Sequence, residues 1–524
     1  MSSFGWPTRL YAAGAGVLAA AAGVAVSALA AGLLTGVPAP IISVGNAAID
    51  LAPPALKDFA VEQFGTLDKP ILLGGIIVVI AVVAAAAGLI GLRHPRAALA
   101  LTGLLGGLAV LAAAIDRTSL TAAPVTVVPA VLALVTSLVA LASMLSRLSR
   151  REAAESAPWL EAHPGDDVGA DFDRRKFIEA VLATGAVTAA AGIATRFLGG
   201  TAAVASRGEV RIPMPADRAG AVPAGAQLRV PGITPYLTNN DDFYRIDTAL
   251  TPPDVPTDGW TLRIHGMVDR EIELDFTALL QRRLVERRVT LTCVSIEVGG
   301  DLAGNATWIG VPLSELLAEA GVQDGADALL STSADGFTAG TPISAVTDGR
   351  DAMIAIAMNG EPLPIIHGFP ARMVVPGLYG YVSATKWLTE IEVTRFADFT
   401  AYWTDRDWAE QAPIKTFSRI DVPGSFAQLK AGSNAVAGVA WAQERGIDRV
   451  EVRVDGGDWQ PARLGAADGL ATWRQWVVEW DAEPGSHELE VRATDATGEV
   501  QPSERVPPRP DGATGWQSVT VTVT

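Results

Sequence analysis

The chain contains one cysteine, Cys293, in 524 residues. A lone cysteine excludes an intramolecular disulfide and cannot hold an iron–sulfur cluster, and no Cys-x-x-Cys-His haem-attachment motif is present. Histidine is nearly as scarce, with five in all. The long apolar runs of the first 200 residues have only His94 nearby, at a run's end, so they offer no inward pair of histidines to ligate a haem. Those runs also carry almost no charge, which argues against a proton or ion path. Basic residues are in deficit, 40 against 57 acidic, for a formal charge of −17. That balance argues against nucleic acid as a partner.

Apolar residues are plentiful at 49%, and the length is too great for one core. The excess lies in five runs long enough to cross a bilayer: residues 10–34, 71–92, 97–115, 125–145 and 177–198. Arg9 precedes the first run. Arg93, His94 and Arg96 separate the second and third. Arg147, Arg150, Arg151, Arg174, Arg175 and Lys176 separate the fourth and fifth. The positive-inside rule places all three groups in the cytoplasm, with a cytoplasmic N-terminus and everything after residue 198 outside. The expected location is the plasma membrane, as a multi-pass protein with an extracytoplasmic catalytic domain. Asp173-Arg174-Arg175-Lys176-Phe177 before an Ala-rich run resembles a twin-arginine export signal and reads equally as a plain basic flank. Ala203-Val204-Ala205 looks like a small-residue cleavage site, but cleavage there would discard four spans, so a retained anchor is expected.

Residues 201–229, rich in Ala, Gly and Pro, read as a linker. Beyond them short strands and helices alternate over residues 230–411: strands at 261–266, 328–333, 352–358, 372–375 and 387–393, and helices at 274–284 and 314–320. Asn359-Gly360 is a hairpin turn signal. From 412 to 524 alternating strands, with Asp455-Gly456-Gly457 as a turn, point to an immunoglobulin-like β-sandwich. The expected architecture is therefore multidomain: about five N-terminal transmembrane helices, a mixed α+β (α/β) domain, and the sandwich.

Cys293 sits between a β-prone approach, Arg288–Thr292, and a loop with Gly299, Gly300 and Gly304. Such a thiol can be a nucleophile, a metal ligand or a buried small hydrophobe. Two further clusters stand with it. One is Asn239-Asn240-Asp241-Asp242-Phe243-Tyr244-Arg245. The other is His367-Gly368-Phe369-Pro370-Ala371-Arg372, followed by Pro376–Trp387 with Ser383 and Lys386. Fixed cations, hydroxyls and close backbone are the chemistry that an anionic cofactor needs.

At these motifs the sequence is similar to the sulfite oxidase family of molybdenum-cofactor enzymes. The likeness is carried by the Cys293 loop, Trp308-Ile309-Gly310-Val311-Pro312-Leu313, Met358-Asn359-Gly360-Glu361-Pro362-Leu363-Pro364, the His367–Arg372 cluster and Val375-Pro376-Gly377-Leu378-Tyr379-Gly380. It runs from about residue 231 to the C-terminus. The resemblance implies a sulfite-oxidase-like fold and Mo-molybdopterin as cofactor, with Cys293 as the thiolate ligand of molybdenum. It implies that Tyr244 and Arg245 line the cofactor, that His367 and Arg372 hold the pterin and its phosphate, and that Ser383 and Lys386 close over the phosphate. Asn240 and Ser333 are candidates for the same role. It assigns residues 412–524 to a dimerisation-type domain, so a homodimer is an expected partner.

Three positions depart from that family's pattern. Val298 stands where sulfite oxidases have an arginine, Trp408 where they have the pocket tyrosine, and Asp247 where they have a histidine. Arg245 and Trp408 remain the substrate-facing candidates beside Cys293. With fewer cations, sulfite is disfavoured against a neutral or larger oxo substrate such as a sulfoxide. The expected function is two-electron oxygen-atom transfer on an extracytoplasmic sulfur-containing or other small oxo substrate. Electrons would be exchanged with a separate haem- or quinone-linked partner, conceivably a membrane protein. The competing readings are a cofactor-free membrane receptor or adhesion protein with a β-sandwich ectodomain, and a cysteine-nucleophile enzyme, for which only His265 and His367 stand near as bases.

Overall fold

The computed structural model describes residues 6–34, 36–53, 56, 63–64, 68–116, 118, 123–155, 178–191 and 202–524. The chain divides into two compact units, residues 1–202 with 249–254, and residues 203–248 with 255–524.

The first unit is helical. Four helices among the described residues are long and apolar enough to cross a membrane: Trp6–Leu33, Lys69–Gly91, Pro95–Ala114 and Ala123–Leu148. They are compatible with a membrane anchor. The fifth expected span is described only as the helix Ile178–Ala191, which is shorter than a bilayer needs. The Arg174-Arg175-Lys176 motif lies outside the described residues. Small residues set how the helices meet. Trp6–Leu33 buries Ala12, Ala15, Gly16, Ala19, Ala22 and Gly23. A Cβ at Gly16 would lie 1.9 Å from the Ala84 carbonyl oxygen, and one at Gly88 would lie 1.9 Å from that of Ala12. Only glycine permits backbones that close, the usual device of helix pairs in lipid. Large apolar side chains, among them Val78, Val82, Leu104, Leu108 and Val139, remain exposed.

The second unit contains four sheets. Its first is mixed: β1 (Thr261–Gly266), β2 (Ile272–Asp275), β5 (Ala328–Ser333), β6 (Thr338–Pro342) and β10 (Leu388–Thr394), in the order β2-β1-β10-β5-β6, with β1 and β10 parallel. The second has the order β3-β4-β7-β8, from β3 (Val285–Thr292), β4 (Ala303–Pro312), β7 (Met353–Met358) and β8 (Glu361–Pro362), with β9 (Arg372–Val374) paired to β7. The expected helix over 274–284 is shorter, Phe276–Leu280. Asp275 ends β2 and accepts from Ala278 N at 2.7 Å, an N-cap that fixes where the helix can begin. The Asn359-Gly360 signal is a tight β7–β8 turn, with φ of 51° and 85°.

The last 110 or so residues form two facing sheets, in strands β11–β19. One is ordered β11-β13-β17-β16, from Phe417–Val422, Gly432–Trp441, Arg474–Ala482 and Arg463–Leu464. The other is ordered β12-β19-β18-β14-β15, from Gln428–Leu429, Gln517–Val523, Gly485–Asp495, Ile447–Val454 and Gln460–Pro461. Their inner faces share one core around Val436, Val450, Trp476, Leu489 and Val521. This two-sheet layer and the mixed sheets lie in a single compact unit. Side chains of the layer fasten β3. Arg288 pairs with Asp468, Gln443 donates to the Thr290 carbonyl, and Trp473 N donates to Thr290 Oγ1 at 2.8 Å. Arg419 donates to the Gly300 carbonyl at 2.8 Å. The C-terminal layer thus holds both the strand that delivers the cysteine and the loop that follows it.

Candidate active site

Cys293 follows the last residue of β3, and its amide donates to the Leu302 carbonyl at 2.9 Å. The thiol lines a pocket with about 850 Å³ of empty space. Burial pushes its pKa up, and hydrogen bonds from Ser295 together with the charge of Lys386 oppose the shift. No group of three or more His, Cys, Asp or Glu side chains capable of holding a metal occurs among the described residues. Side chains of these types would therefore supply a metal here with fewer than three ligands, Cys293 being the candidate.

The cations around the thiol are buried. Arg372, at the start of β9, is 5% exposed and donates to the carbonyls of His367 (3.0 Å), Ala384 (3.2 Å) and Met373 (3.4 Å). It lies 5.1 Å over the Trp308 ring, and no carboxylate lies within ion-pair distance of it among the described residues. Burial lowers its pKa to about 10. Lys386 reaches Asp247 at 2.7 Å and the Ile366 carbonyl at 3.3 Å, and burial lowers it to about 8. The next residue, Trp387, has a φ of 49°. That strained conformation is held by an Nε1 bond to the Ile365 carbonyl at 2.8 Å. His367 contacts the Asn240 carbonyl through Nε2 at 2.9 Å. Burial, then the charges of Arg372 and Lys386, lower its pKa to about 4, so it stays neutral and donates there. Gly304 allows the Phe243 ring to close beneath this site: a Cβ there would lie 2.7 Å from the ring.

Eight of the residues singled out from sequence line this one pocket: Cys293, Tyr244, Asp247, Ser333, His367, Arg372, Lys386 and Trp408. Tyr244 stacks on Phe243, and burial raises its pKa. Trp408 packs against Trp403 and Tyr381, and its indole N–H is buried without an acceptor among the described residues. Three others stand differently. Arg245 reaches the pocket wall through Asp247, at 2.8 Å. The Asn240 side chain bonds Glu361 at 2.5 Å and lines a neighbouring depression, so that only its carbonyl reaches His367. Ser383 is fully buried and donates to the carbonyls of Leu378 (3.1 Å) and Tyr379 (3.0 Å), turned away from the lining.

Sequence reasoning missed Asp335, Phe337, Tyr381 and Trp403, which also line the pocket. Asp335 is 3% exposed and accepts from Phe337 N at 3.1 Å. A buried carboxylate between two glycine-flanked strands carries no local motif, so nothing short of the β5–β6 pairing could have placed it.

The arrangement is one thiol, two buried cations, a neutral histidine and aromatic walls. Arg372, buried without a counter-charge, is the observation that fits a bulky anionic group, because an uncompensated buried cation is costly until an anion meets it. Residues 249–403 match the oxidoreductase molybdopterin binding domain. These residues thus form a molybdopterin-binding oxidoreductase domain similar to that of the sulfite oxidase family, and its cofactor is the molybdenum cofactor. The chain is 27% identical over 323 residues to the mitochondrial sulfite oxidase of Homo sapiens, covering 52% of this chain and 58% of that one. It is 29% identical to that of Drosophila melanogaster, covering 51% and 56%. The chain thus spans less than two thirds of these relatives' length. The crystal structure of the sulfane dehydrogenase SoxCD from Paracoccus pantotrophus matches with a TM-score of 0.50 at 24% identity, over 55% of this chain and 82% of that one. That likeness is one of fold.

Proposed function

We propose that the sulfite-oxidase-type pocket performs two-electron oxygen-atom transfer on a small, neutral oxo substrate outside the cytoplasm. The observation that carries this reading is the convergence of Cys293 with the buried cations Arg372 and Lys386 on one aromatic-walled pocket. When bound, the molybdenum cofactor supplies the oxygen-atom and two-electron chemistry. Cys293 is the thiolate ligand, a soft donor suited to such a metal. Arg372 and Lys386 hold the cofactor's anionic groups, and His367, fixed by the Asn240 carbonyl, orients the pterin. Tyr244 and Ser333 line it. Asp335 supplies an acceptor for ring N–H groups. Ser383 acts by bracing the Leu378–Ser383 turn, and Asn240 by its carbonyl. Arg245 and Trp408 stand on the substrate side, with the tryptophan rings excluding water.

The helical unit serves as an anchor in the plasma membrane, with the N-terminus cytoplasmic, as the basic residues between the apolar runs favour. The C-terminal two-sheet layer is of immunoglobulin-like, dimerisation type. Electrons pass to or from a separate partner. The cofactor-free receptor reading is not favoured, because it gives no reason to bury Arg372, Lys386, Asp247 and Asp335 around one thiol.

The test is the metal and pterin content of the detergent-solubilised protein from a molybdenum-replete host. Stoichiometric molybdenum and pterin are expected, with turnover of a sulfoxide exceeding that of sulfite. A clean preparation with neither overturns the reading.

A further inference from the structure

Asp247 is the pocket-wall charge to which the reading above gives no task. Its carboxylate is 3% exposed. Oδ2 lies 2.8 Å from Arg245 Nε and 2.7 Å from Lys386 Nζ, and Oδ1 lies 3.5 Å from Arg245 Nη2. One carboxylate therefore answers two cations. The remaining pocket cation, Arg372, gives its N–H groups to three backbone carbonyls. The rest of the charged lining is Asp335, a second carboxylate.

An oxyanion needs cations whose donors are free to turn toward it. Here it would compete with Asp247 for Lys386 and Arg245 and would also meet two buried negative charges. A neutral molecule with a polar oxygen meets no such opposition. Trp408, which lines the same pocket, has a buried indole N–H without an acceptor among the described residues, a donor of the kind such an oxygen needs.

We propose that Asp247 is the specificity-determining residue of this pocket: by neutralising the substrate-side Arg245, and offsetting the charge of Lys386 beside it, it admits neutral oxo substrates and rejects oxyanions. It acts through the two cations, as a positioning residue. The inference rests on the reading of the Cys293 pocket as the molybdenum site.

The experiment titrates inorganic sulfate, an unreactive oxyanion, into the full-length solubilised holoenzyme by calorimetry, for the wild type, Asp247→Asn and Asp247→Glu. Asp247→Asn removes the negative charge and frees Arg245, Lys386 staying with the cofactor, and should bind sulfate at least about tenfold tighter, the discrimination of one added charge-assisted hydrogen bond. Asp247→Glu keeps the charge and should bind as weakly as the wild type. In turnover, KM for sulfite should fall in Asp247→Asn while that for dimethyl sulfoxide does not. Asp247→Ser makes the same charge change with a smaller side chain, so a folding defect in one variant leaves the other. Unchanged sulfate affinity in a variant with wild-type molybdenum and pterin content overturns the proposal. So does loss of the cofactor in Asp247→Asn alone, which would assign the carboxylate to placing Lys386 for the cofactor. Absence of molybdenum and pterin from the wild type would instead remove the underlying reading.

Discussion

The helical unit and the pocket unit bury opposite things. Between its helices the first buries alanine, glycine and serine, and its closest approach is backbone on backbone at Gly16 and Gly88. The second buries Arg372, Lys386, Asp247, Asp335 and His367 around one thiol. Burying small residues costs little side-chain entropy and no desolvation of charge, so it can be done for packing alone. Burying charge costs several kcal/mol per ion unless it is paired, so a fold that does so repeatedly in one place is holding those groups for a ligand. The contrast separates a region whose composition suits an apolar phase from one that gathers charge around a thiol.

The sharpest way to break that contrast is Cys293→Ser. Turnover should fall to background while circular dichroism stays unchanged, because the change swaps one atom on a held loop. Retained activity would make the thiol an ordinary buried side chain. Next comes Arg372→Met. Pterin retention should fall by about ten- to a hundredfold, as expected for lost hydrogen bonds to a charged group. The melting temperature of the cofactor-free protein should drop only modestly, because three carbonyls lose a donor while the cost of an unpaired buried cation is removed. A large drop with full pterin content would show that Arg372 is structural.

Acid provides a third test. His367 is held at about 4 in the folded state against an ordinary 6.5. Below 6.5 the unfolded chain takes up a proton that the folded protein refuses, so stability falls as pH drops from 6.5 toward 4. The full loss is about 3 kcal/mol at most. In His367→Gln, thermal melts over that window should be flatter by this amount, and an identical slope would remove the assignment. The smallest effect belongs to the helices. Gly16→Leu should cost about 1–3 kcal/mol by overpacking against Ala84. A lower melting temperature in detergent, with unchanged molybdenum content, would keep the two regions separate in function as well as in composition.

Legibility followed the range of the interaction. Strand positions such as Thr261–Gly266 and Ala328–Ser333 were readable because alternation is local. The Asn359-Gly360 turn was readable because positive φ selects those residues. The helix after β2 was overextended because Asp275 had to be recognised as a cap. In the site, Cys293, His367, Arg372 and Lys386 stood out by chemical type. Ser383 and Asn240 stood out for the same reason, yet the fold directs their side chains to the Leu378 and Tyr379 carbonyls and to Glu361. A hydroxyl or amide has no directional signature in sequence, and its partner is chosen by the turn it occupies. The fifth apolar run is described only over Ile178–Ala191, and the rest of its expected 177–198 lies outside the described residues.

By itself the sequence determined which residues are apolar, where helices and strands can start and stop, and that one thiol is available. Those properties depend on near neighbours along the chain. Only the tertiary structure decided that Asp247 answers both Arg245 and Lys386, that Arg372 has carbonyls instead of a carboxylate, and that Asp335 lines the same pocket as the thiol. Arg245 and Asp247 are near neighbours, but Lys386 lies 139 residues further on and reaches Asp247 only in the folded chain, and the energy of a buried charge depends on every group so assembled, not on the residue that carries it.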